Sequence, residues 1–312
     1  MEHLVILVGL PAAGKSTIVE DYIKQGYLCL NRDTIGGTLR TIDAELNIAI
    51  SRGYEKIILD NTYITAESRA NVIAIGRVNN YKITCIHLDT SFEDAQYNAV
   101  SRMIKRHGKL FKTAQDYKDC KDPNMFPPAA LYAARKNFVK PTKAEGFDEI
   151  VTMKFVRKHN GYTNKAILVD YDGTIRTTIS GAKFPTNPND IVVLDNRKKV
   201  LQSYIDKGYK VIGVSNQSGV AKGDLTHEMA IKCFEKTNEL LGLDIEVSFC
   251  PHSVPPIVCY CRQPGVGMGI EFIEKYKLDP TQCIMVGDMT SDKTFATRCG
   301  FKYVEAEDFF GK

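Results

Sequence analysis

The stretch GLPAAGKST, residues 9–17, decides the fold of the first part of the chain. It follows the apolar run LVILV and places Gly9, Gly14, Lys15 and Ser16 in the spacing GxxxxGK[ST]. In this spacing the backbone amides of the loop and of the next helix converge on phosphates, Lys15 reaches the β and γ oxygens, and the Ser16 hydroxyl holds Mg²⁺. With Thr17 included, the stretch predicts a strand, a phosphate-binding loop and a helix that bind ATP or GTP.

The length and the composition of the chain predict two α/β domains. At 312 residues the chain exceeds the size at which one core usually stops growing. Its 44% of hydrophobic and 25% of charged residues are ordinary for a globular protein and exclude a disordered one. The apolar run at residues 4–13 is too short to span a bilayer, so we expect neither a secretion signal nor a membrane anchor. Nine cysteines, an odd number, favour a reducing compartment and thus an intracellular protein, cytoplasmic or nuclear.

Short β-type runs alternate with helix-like stretches in two series. The first series is LVILVG, YLCLNRD, KIILDN, KITCIHLD and EIVTMKFV, and the second is KAILVDYD, YKVIGVSNQ, IEVSFC, CIMVGDM and KYVEA. Such alternation predicts parallel sheets covered by helices. The polar segment RKHNGYTNK, residues 157–165, is typical of a linker. We therefore expect one α/β domain at residues 1–156 and a second at residues 166–312.

Polar residues after the second and third predicted strands are candidates for an acceptor site. Asp33 lies at the sheet edge where ligands bind in open α/β folds, and it can take the proton from an attacking hydroxyl. The alternative for Asp33 is a helix N-cap. Asp60, with Asn61 beside it, can orient the acceptor or act through Mg²⁺. Arg102 and Arg106, four residues apart on a predicted helix, can close over the transferring phosphate as a lid or form a solvated face.

The N-terminal residues resemble the kinase domain of the polynucleotide 5′-kinase/3′-phosphatases, in the animal-type form more than the bacteriophage type. Besides the paired arginines, the matching pieces are GLPAAGKST, NRDTIGG, DNTYITAESRA and LYAARKNFVKPTKAEGF, which cover most of residues 3–150. The resemblance implies that Asp33 is the general base for a 5′-hydroxyl and that Asp60 helps to hold the acceptor. It also implies that Arg102 and Arg106 belong to a lid over ATP.

The same resemblance leads us to expect Asn61 and Arg69, both within DNTYITAESRA, at the acceptor site. One departure concerns the position three residues after the base, where the phage enzyme has an arginine and this chain has Gly36. Arg40, one turn later, is a candidate replacement. The alternative is that the 3′-nucleotide is contacted differently.

The stretch AILVDYDGTIRTT, residues 166–178, places Asp170 and Asp172 directly after an apolar run. In an attack on a phosphoester the first carboxylate can be the nucleophile, and the second can protonate the leaving oxygen and then activate water. Two carboxylates so close together resist ionising, so the pair implies Mg²⁺. The spacing resembles the haloacid dehalogenase superfamily of phosphatases.

Two later motifs follow in the order that this superfamily requires. VIGVSNQSG supplies Ser215 at a strand end to hold phosphate, with Asn216 beside it, and CIMVGDMTSD supplies Asp288 and Asp292 for the metal. For Asp292 alone, an exposed acid in the first turn of a helix is the alternative. Three strand-end motifs in sequence nevertheless predict a phosphatase site.

Three of the nine cysteines cluster with a histidine. Cys250, His252, Cys259 and Cys261 are enough for a closed tetrahedral Zn²⁺ site, which is structural because it leaves no position for water. Buried cysteines without a metal are the alternative. CPHSVPPIVCYCRQP resembles the zinc loop of the histidinol-phosphate and heptose-bisphosphate phosphatases, and the resemblance covers about Lys165 to Phe309.

The phosphatase half departs from that branch at one position. The branch ordinarily has Arg-Lys-Pro where this chain has Arg262, Gln263 and Pro264, so the lysine that neutralises phosphoryl oxygens is missing. Arg262, Lys222 and Lys293 are the candidates to replace it at the substrate, with Arg262 preferred first and Lys222 second. If no residue replaces it, we expect the phosphatase to be slow or inactive.

The charge distribution favours an anionic substrate. Between Arg106 and Lys143 there are nine basic and three acidic residues, although a solvated helical face is the alternative. Two phosphate sites on one chain are consistent with action on two ends of one molecule. We expect an end-healing enzyme that phosphorylates 5′-hydroxyl ends with ATP and removes 3′-phosphates through an aspartyl-phosphate on Asp170. DNA or RNA strand ends would be its substrates and a ligase its partner.

Two alternatives to end healing remain at this point. One is a bifunctional enzyme of small molecules, such as sugars or nucleosides, which the zinc loop favours. The other is a polynucleotide kinase whose phosphatase-like domain is inactive, which Gln263 favours.

Overall fold

The chain forms two compact units. The computed structural model describes residues 2–157, 161–253 and 259–311. The first unit consists of Met1–Ala99 and Lys121–Arg157, and the second of Val100–Cys120 and Lys158–Lys312. Each unit contains a five-stranded parallel sheet, so the predicted fold class of two α/β domains is confirmed.

The first unit is a parallel sheet with helices on its connections. Its strands are β1 His3–Val8, β2 Leu28–Leu30, β3 Lys56–Leu59, β4 Lys82–Asp89 and β5 Glu149–Lys154, in the spatial order β2-β3-β1-β4-β5. Its helices are α1 Lys15–Lys24, α2 Arg32–Ile35, α3 Leu39–Ser51, α4 Ala66–Val78, the first half of α5 Phe92–His107, and α7 Pro128–Asn137, with a 3-10 turn at Lys143–Glu145. The short helix α6, Ala114–Asp119, belongs to the second unit.

The central strand β1 shows why this sheet is buried on both faces. Leu4, Ile6 and Val8 pack into one apolar cluster and Val5 and Leu7 into another, and all five side chains are 0% exposed. Side chains of a strand alternate between the two faces, so an unbroken apolar run requires cover on both sides. The order of the strands then places the carboxyl ends of β2, β3 and β1 side by side.

The second unit repeats this plan. Its parallel strands are β6 Ala166–Val169, β9 Lys210–Asn216, β10 Glu246–Cys250, β11 Ile284–Gly287 and β12 Lys302–Glu305, in the order β10-β9-β6-β11-β12. A separate antiparallel pair consists of β7 Arg176–Thr178 and β8 Ile191–Val193. The helices are α8 Arg197–Ile205, α9 Ser218–Lys222, α10 His227–Leu241, α11 Gly267–Tyr276, α12 Thr290–Cys299 and α13 Ala306–Phe310, with 3-10 turns at Pro188–Asp190 and Pro280–Gln282.

The ten predicted β-type runs coincide with the ten strands of the two sheets, whereas the β7–β8 pair is additional. The predicted linker, residues 157–165, contains the main boundary between the units, and its residues 158–160 lie outside the described ones. Val100–Cys120, expected in the first domain, groups with the second unit. The domain limits at residues 156 and 166 stay a prediction. Within the described ranges, no helix has both the length and the apolar character needed to span a membrane.

Candidate active sites and a candidate metal centre

The loop after β1 has the backbone geometry that its motif predicts. Gly14 precedes α1 with a φ of 97°, a left-handed conformation that glycine adopts without steric cost. Lys15 is the first residue of α1, and its ammonium donates to the carbonyl oxygen of Leu10 at 3.0 Å. Ser16 and Thr17 follow in the first helical turn and are exposed. A phosphate at this helix N-terminus would therefore meet both hydroxyls.

Neighbouring side chains hold this loop in place. Thr90 donates its hydroxyl to the carbonyl oxygen of Ala13 at 2.9 Å, and Asn98 donates its amide to that of Ala12 at 3.0 Å. A Cβ at Gly9 would lie 3.2 Å from the carbonyl oxygen of Leu88, so the first glycine of the motif permits close packing on β4. The loop is thus fixed by polar contacts before any ligand binds.

The polar residues after β2 and β3 are joined by hydrogen bonds. Asn31 caps α2 by accepting from the backbone N–H of Asp33 at 2.7 Å, and it donates to the Asp60 carboxylate at 2.9 Å. Asn61 accepts from the backbone N–H of Arg32 at 2.8 Å. Because Asn31 is the cap, the carboxylate of Asp33 is not used for capping and lies exposed on α2. The adjacent position of Asn31 in NRDT was a usable signal for a helix start.

Asp60 shares an electrostatic environment with the phosphate loop. Burial raises the pKa of Asp60, while the Lys15 ammonium and the Asn31 amide oppose that shift. Since β3 lies between β2 and β1, Asp33, Asp60 and Lys15 follow three neighbouring strands. The predicted base, the predicted acceptor contact and the phosphate loop therefore belong to one edge of one sheet.

Arg69 has a different place from the one expected. Its side chain is 0% exposed and forms a two-point ion pair with Glu145, from Nε to Oε2 at 2.6 Å and from Nη2 to Oε1 at 2.9 Å. Its Nη1 donates to the carbonyl oxygens of Tyr63 and Val139. The expectation that Arg69 contacts substrate is corrected here, because a wholly buried guanidinium has no surface to offer one. It holds the loop that follows Asp60 instead.

Arg102 and Arg106 lie four residues apart on α5, as predicted. Arg102 is half-buried and Arg106 is exposed. Both belong to the part of α5 that groups with the second unit, within Val100–Cys120. Their assignment to a lid over ATP stays a prediction. The basic stretch from Arg106 to Lys143 likewise divides between the two units.

In the second unit, three neighbouring strands bring the predicted phosphatase motifs to one edge. Asp170 follows β6, Ser215 lies near the end of β9, and Asp288 follows β11. Carboxylate oxygens of Asp170, Asp288 and Asp292 all lie within 4.8 Å of one another. Gly173 is required in this turn, because a Cβ there would lie 2.5 Å from a carboxylate oxygen of Asp288.

The set of three clustered carboxylates, Asp170, Asp288 and Asp292, is suited to bind a cation. Burial raises the pKa of Asp170, and the nearby carboxylates of Asp292 and Asp172 raise it further. The pKa values of Asp288 and Asp292 are raised as well, in both cases chiefly by burial. Asp170 and Asp292 are buried and Asp288 is exposed. Carboxylate oxygens crowded together in this way favour protonation unless positive charge is supplied, and an all-oxygen donor set fits a hard ion such as Mg²⁺.

The carboxylate of Asp172 lies outside this set and accepts hydrogen bonds from two side chains. Arg176 donates from Nε to its Oδ1 at 2.7 Å, and Gln217 donates from Nε2 to its Oδ2 at 2.7 Å. The clustered carboxylates thus include Asp292, which the sequence offered for the metal together with Asp288, and the expectation that Asp172 is a further magnesium ligand stays a prediction. Arg176, which is 1% exposed, and Gln217 are site residues that sequence reasoning missed, although Gln217 stands within the quoted VIGVSNQSG.

The residues expected to hold phosphate differ in what they contact. Ser215 is 1% exposed and accepts from Gln217 at 3.1 Å. Asn216 accepts from the backbone N–H of Gln263 at 3.0 Å and donates to its carbonyl oxygen at 3.2 Å. Arg262 donates to the carbonyl oxygen of His252 at 2.9 Å. Asn216 and Arg262 thus support the loop that carries Gln263, and their contact with substrate stays a prediction.

Gln263, which stands where related phosphatases have lysine, is itself buried. It is 4% exposed, and its side-chain Nε2 has no hydrogen-bond partner among the residues that the structure describes. A buried amide nitrogen without an acceptor is energetically unfavourable. The position therefore has an unused donor where the related enzymes have a cation.

The four predicted zinc ligands come together at the end of β10. Cys250 Sγ lies 3.3 Å from His252 Nδ1 and 3.7 Å from Cys259 Sγ, and Cys261 Sγ lies 3.4 Å from the same Nδ1. A tetrahedral Zn²⁺ with ordinary bond lengths separates two sulfurs by about 3.8 Å and a sulfur from a nitrogen by about 3.5 Å. The observed distances match these values. Residues 254–258 of the connecting loop lie outside the described residues.

Comparisons with known proteins agree with the division of the chemistry along the chain. Residues 4–115 match the AAA domain family, and residues 165–310 match the family described as polynucleotide kinase 3 phosphatase. A probable D-glycero-D-manno-heptose-1,7-bisphosphate 7-phosphatase of Thermoplasma volcanium is 34% identical over 139 residues, which are 43% of this chain and 92% of that protein.

A bifunctional polynucleotide phosphatase/kinase of Schizosaccharomyces pombe is 32% identical over 155 residues, which are 49% of this chain and 34% of that protein. The match thus spans about a third of that relative. Among solved structures, a D,D-heptose 1,7-bisphosphate phosphatase from B. bronchiseptica is similar with a TM-score of 0.41 and 25% identity, over 45% of this chain and 79% of that one. The chain is an enzyme that joins a domain of the AAA family to a domain of the family described as polynucleotide kinase 3 phosphatase, and in this combination it is similar to the bifunctional polynucleotide phosphatase/kinases.

Proposed function

We propose that this chain heals the ends of broken nucleic acid strands, by phosphorylating 5′-hydroxyl ends with ATP and hydrolysing 3′-phosphate ends. One observation supports the proposal: the candidate phosphate-binding residues come together at two sheet edges, each formed by three neighbouring parallel strands. Asp33, Asp60 and Lys15 share the first edge, and Asp170, Ser215 and Asp288 share the second. The kinase domain would lie within residues 1–156 and the phosphatase domain within residues 166–312.

In the proposed kinase reaction, Asp33 removes the proton from the 5′-hydroxyl, whose oxygen then attacks the γ-phosphorus of ATP. The exposed carboxylate of Asp33 and its fixed position beside Asn31 support this role. Asp60 orients the acceptor with Asn61. Lys15 balances the charge that develops on the phosphoryl oxygens, and a lid role for Arg102 and Arg106 stays a prediction.

In the proposed phosphatase reaction, a carboxylate oxygen of Asp170 attacks the 3′-phosphate. The bond from phosphorus to the 3′-oxygen breaks, and Asp172 donates a proton to that oxygen. Asp172 then takes a proton from water, whose oxygen attacks the phosphorus and releases inorganic phosphate from Asp170. The two hydrogen bonds from Arg176 and Gln217 fix the direction of Asp172 for both steps.

The proposal includes three bound groups besides the strand. ATP would lie on the loop of Gly9 and Gly14 with Lys15, Ser16 and Thr17. Mg²⁺ would be held by Ser16 in one site and by Asp170, Asp288 and Asp292 in the other, where it would supply positive charge. Zn²⁺ would be held by Cys250, His252, Cys259 and Cys261 in a structural role. The partners would be DNA or RNA ends and a ligase that joins the healed ends.

A second candidate function concerns the phosphatase half. The relative from Thermoplasma volcanium, covered over 92% of its length, has a name that describes a sugar bisphosphate phosphatase. This observation favours a small phosphorylated metabolite as the alternative substrate.

A single oligonucleotide with a 5′-hydroxyl and a 3′-phosphate distinguishes these functions. The purified protein would be incubated with it, ATP and Mg²⁺, and the mass of each end would be followed. Gain of phosphate at the 5′ end with loss at the 3′ end is expected from end healing. Gain without loss would contradict the phosphatase part alone, and no change at either end would contradict the whole proposal. Competition by a free sugar bisphosphate, without effect of oligonucleotides, would support the metabolite.

A further inference from the structure

The outer strand of the second sheet, β10, borders a cavity. The cavity has a volume of about 500 Å³, which is within the range of ligand pockets. Its walls come from β10, from the first residue of α10, from α11 and from the loop before α6, and all of these belong to the second unit. Among the lining residues are Lys112, His227, Ser248, Phe249 and Glu271.

The cavity extends to the carboxyl edge of the sheet, where the phosphatase residues lie, because Pro251 and His252 line it beyond the end of β10. Within β10, Phe249 pairs in register with Ser215 of β9. Two strand spacings, about 10 Å, separate β10 from β6, after which Asp170 follows. About three stacked nucleotides span that length. A strand whose 3′-phosphate reaches Asp170 can therefore place one of its last bases in the cavity.

Two aromatic rings form part of the wall. His227, the first residue of α10, and Phe249 lie with their ring centroids 4.8 Å apart and their planes inclined by 38°. His227 is exposed, whereas Phe249 is half-buried and contacts the core ring of Phe234 at a centroid distance of 5.3 Å. The core thus holds Phe249, and Phe249 supports the exposed ring of His227. Supported rings of this kind are what the bases of single-stranded nucleic acids stack on.

The two carboxylates that line the cavity are paired with lysines, which reduces their repulsion of a nucleic acid strand. Glu271 accepts from the Ser248 hydroxyl at 3.0 Å and lies 3.7 Å from Lys112 Nζ. Glu246 accepts from the Lys275 ammonium at 2.5 Å. Hydroxyl, ammonium and carboxylate groups together supply both donors and acceptors. A flat ring with polar groups on its rim, such as a nucleobase, matches this combination of aromatic and polar walls.

We propose that this cavity binds a nucleobase from the last few nucleotides of the strand whose 3′-phosphate enters the phosphatase site, with His227 and Phe249 as the stacking surface. The inference rests on the proposed phosphatase function and deepens it, because it names a part of the substrate other than phosphate that the second unit recognises. Stacking tolerates any sequence, since every base has a flat face. A sugar bisphosphate has no such ring, so the cavity would favour a strand end over a metabolite.

The test uses one oligonucleotide with a 3′-phosphate and a second of equal length whose last three nucleotides lack their bases. Both have the same sugars and phosphates, so they differ only in the rings that can stack. Release of the 3′-phosphate by the full chain would give the ratio of the KM of the abasic oligonucleotide to that of the complete one.

The variants are H227A, which removes the exposed ring, and F249L, which keeps an apolar side chain without the aromatic face. The matched control is F184A, because Phe184 is 49% exposed in the same unit and does not line the cavity.

In the wild type we expect the KM of the abasic oligonucleotide to be about fivefold to a hundredfold higher, which is the effect of losing one stacked base. In H227A and F249L this ratio should fall toward one, because the two oligonucleotides bind alike once the stacking surface is gone. F184A should keep the ratio of the wild type.

A wild-type ratio near one, or a ratio that H227A and F249L leave unchanged, would overturn the inference. An equal fall of the ratio in F184A would overturn it as well, since the effect would then not belong to the cavity. If F249L does not fold, H227A decides, because His227 is exposed and its truncation leaves the core in place.

A wild type that releases phosphate from neither oligonucleotide would instead contradict the proposed phosphatase function. Fluorescence anisotropy would then give the affinities of the wild type and of H227A for the two labelled oligonucleotides. A preference of the wild type for the complete oligonucleotide that H227A loses would still support the cavity as a base site, and equal preferences would overturn it.

Discussion

The guanidinium of Arg69 and the carboxylate of Glu145 form a two-point ion pair that joins two distant pieces of sequence. Arg69 belongs to DNTYITAESRA and Glu145 to KPTKAEGF, two stretches that resemble the same kinase family. Through Tyr63 the arginine also binds the loop that starts at Asp60. The structure thus joins the two stretches and, through Tyr63, fixes the loop that starts at Asp60.

This pair predicts a large loss of stability in the first unit when one partner is removed. R69M leaves the Glu145 carboxylate without its cation, and breaking a buried ion pair in this way destabilises by about 3–5 kcal/mol. Hydrogen exchange of β1 and β4 at increasing urea concentrations would measure the change in that unit alone. The double variant R69M/E145M should lose less than the sum of the single variants, since neither charge is then left unpaired.

The control for this prediction is the exposed pair of Lys82 and Glu149 in the same unit. Both side chains are solvated, so K82M should leave the exchange of β1 and β4 as in the wild type. Equal effects of R69M and K82M would contradict the structural role assigned to Arg69.

A second prediction separates the two reactions by their carboxylates. D33N removes the proposed base and should lower the kinase kcat by about two to four orders of magnitude, because that is what general base catalysis contributes. D170N removes the proposed nucleophile and should abolish release of the 3′-phosphate. Each variant should retain the reaction of the other site, measured on the same oligonucleotide. Kinase activity that survives in D33N would assign the base elsewhere, with Asp60, at the end of the neighbouring strand, as the next carboxylate to test.

The sequence was sufficient to predict the strands and the residues at their carboxyl ends. An apolar run predicts a strand, and the Asp, Ser or glycine loop that ends the run marks the sheet edge where a site can form. It was insufficient for Arg69, since an arginine in a family motif looks the same whether it meets a substrate or a buried glutamate. The contacts of Asp172 were hidden from the sequence for a similar reason. Which carboxylate joins the cluster depends on Arg176 and Gln217, and the pattern of a strand end does not encode those contacts.

Local sequence patterns likewise could not predict that Val100–Cys120 groups with the second unit. An amphipathic helix predicts that one face is covered, but it does not say by which part of the chain. Here the cover includes α11, more than 150 residues later in the sequence, where the Glu274 carboxylate accepts from the Ser101 hydroxyl. In the sequence, Glu274 looks like an ordinary surface charge. Such pairings become visible only when the partner helix is in place.

A third prediction concerns the position of the missing lysine. Q263K places an ammonium where the related phosphatases have one, and the side-chain amide of the buried Gln263 has no hydrogen-bond partner in the described parts of the chain. We expect 3′-phosphate release to rise about tenfold or more, because a positioned cation stabilises charge on the phosphoryl oxygens. Q263M, which keeps the length and removes the amide, should lower release instead. If Q263K is neutral or harmful, another cation already serves the site, and R262M and K222M would show which one.

The last prediction concerns the metal centre. The second unit should contain one Zn²⁺ per chain, measured by elemental analysis, and C261S should lose it together with the stability of that unit. The reason is that a thiolate site with tetrahedral spacing contributes its binding free energy directly to folding. C283S is the matched control, because Cys283 is equally buried and lies outside the cluster. The C283S variant should retain zinc. Its amide hydrogen exchange in β9 and β10 should change far less than the exchange of the C261S variant does. Full zinc content in C261S, or equal loss in C283S, would mean that the four residues are packed side chains and not ligands.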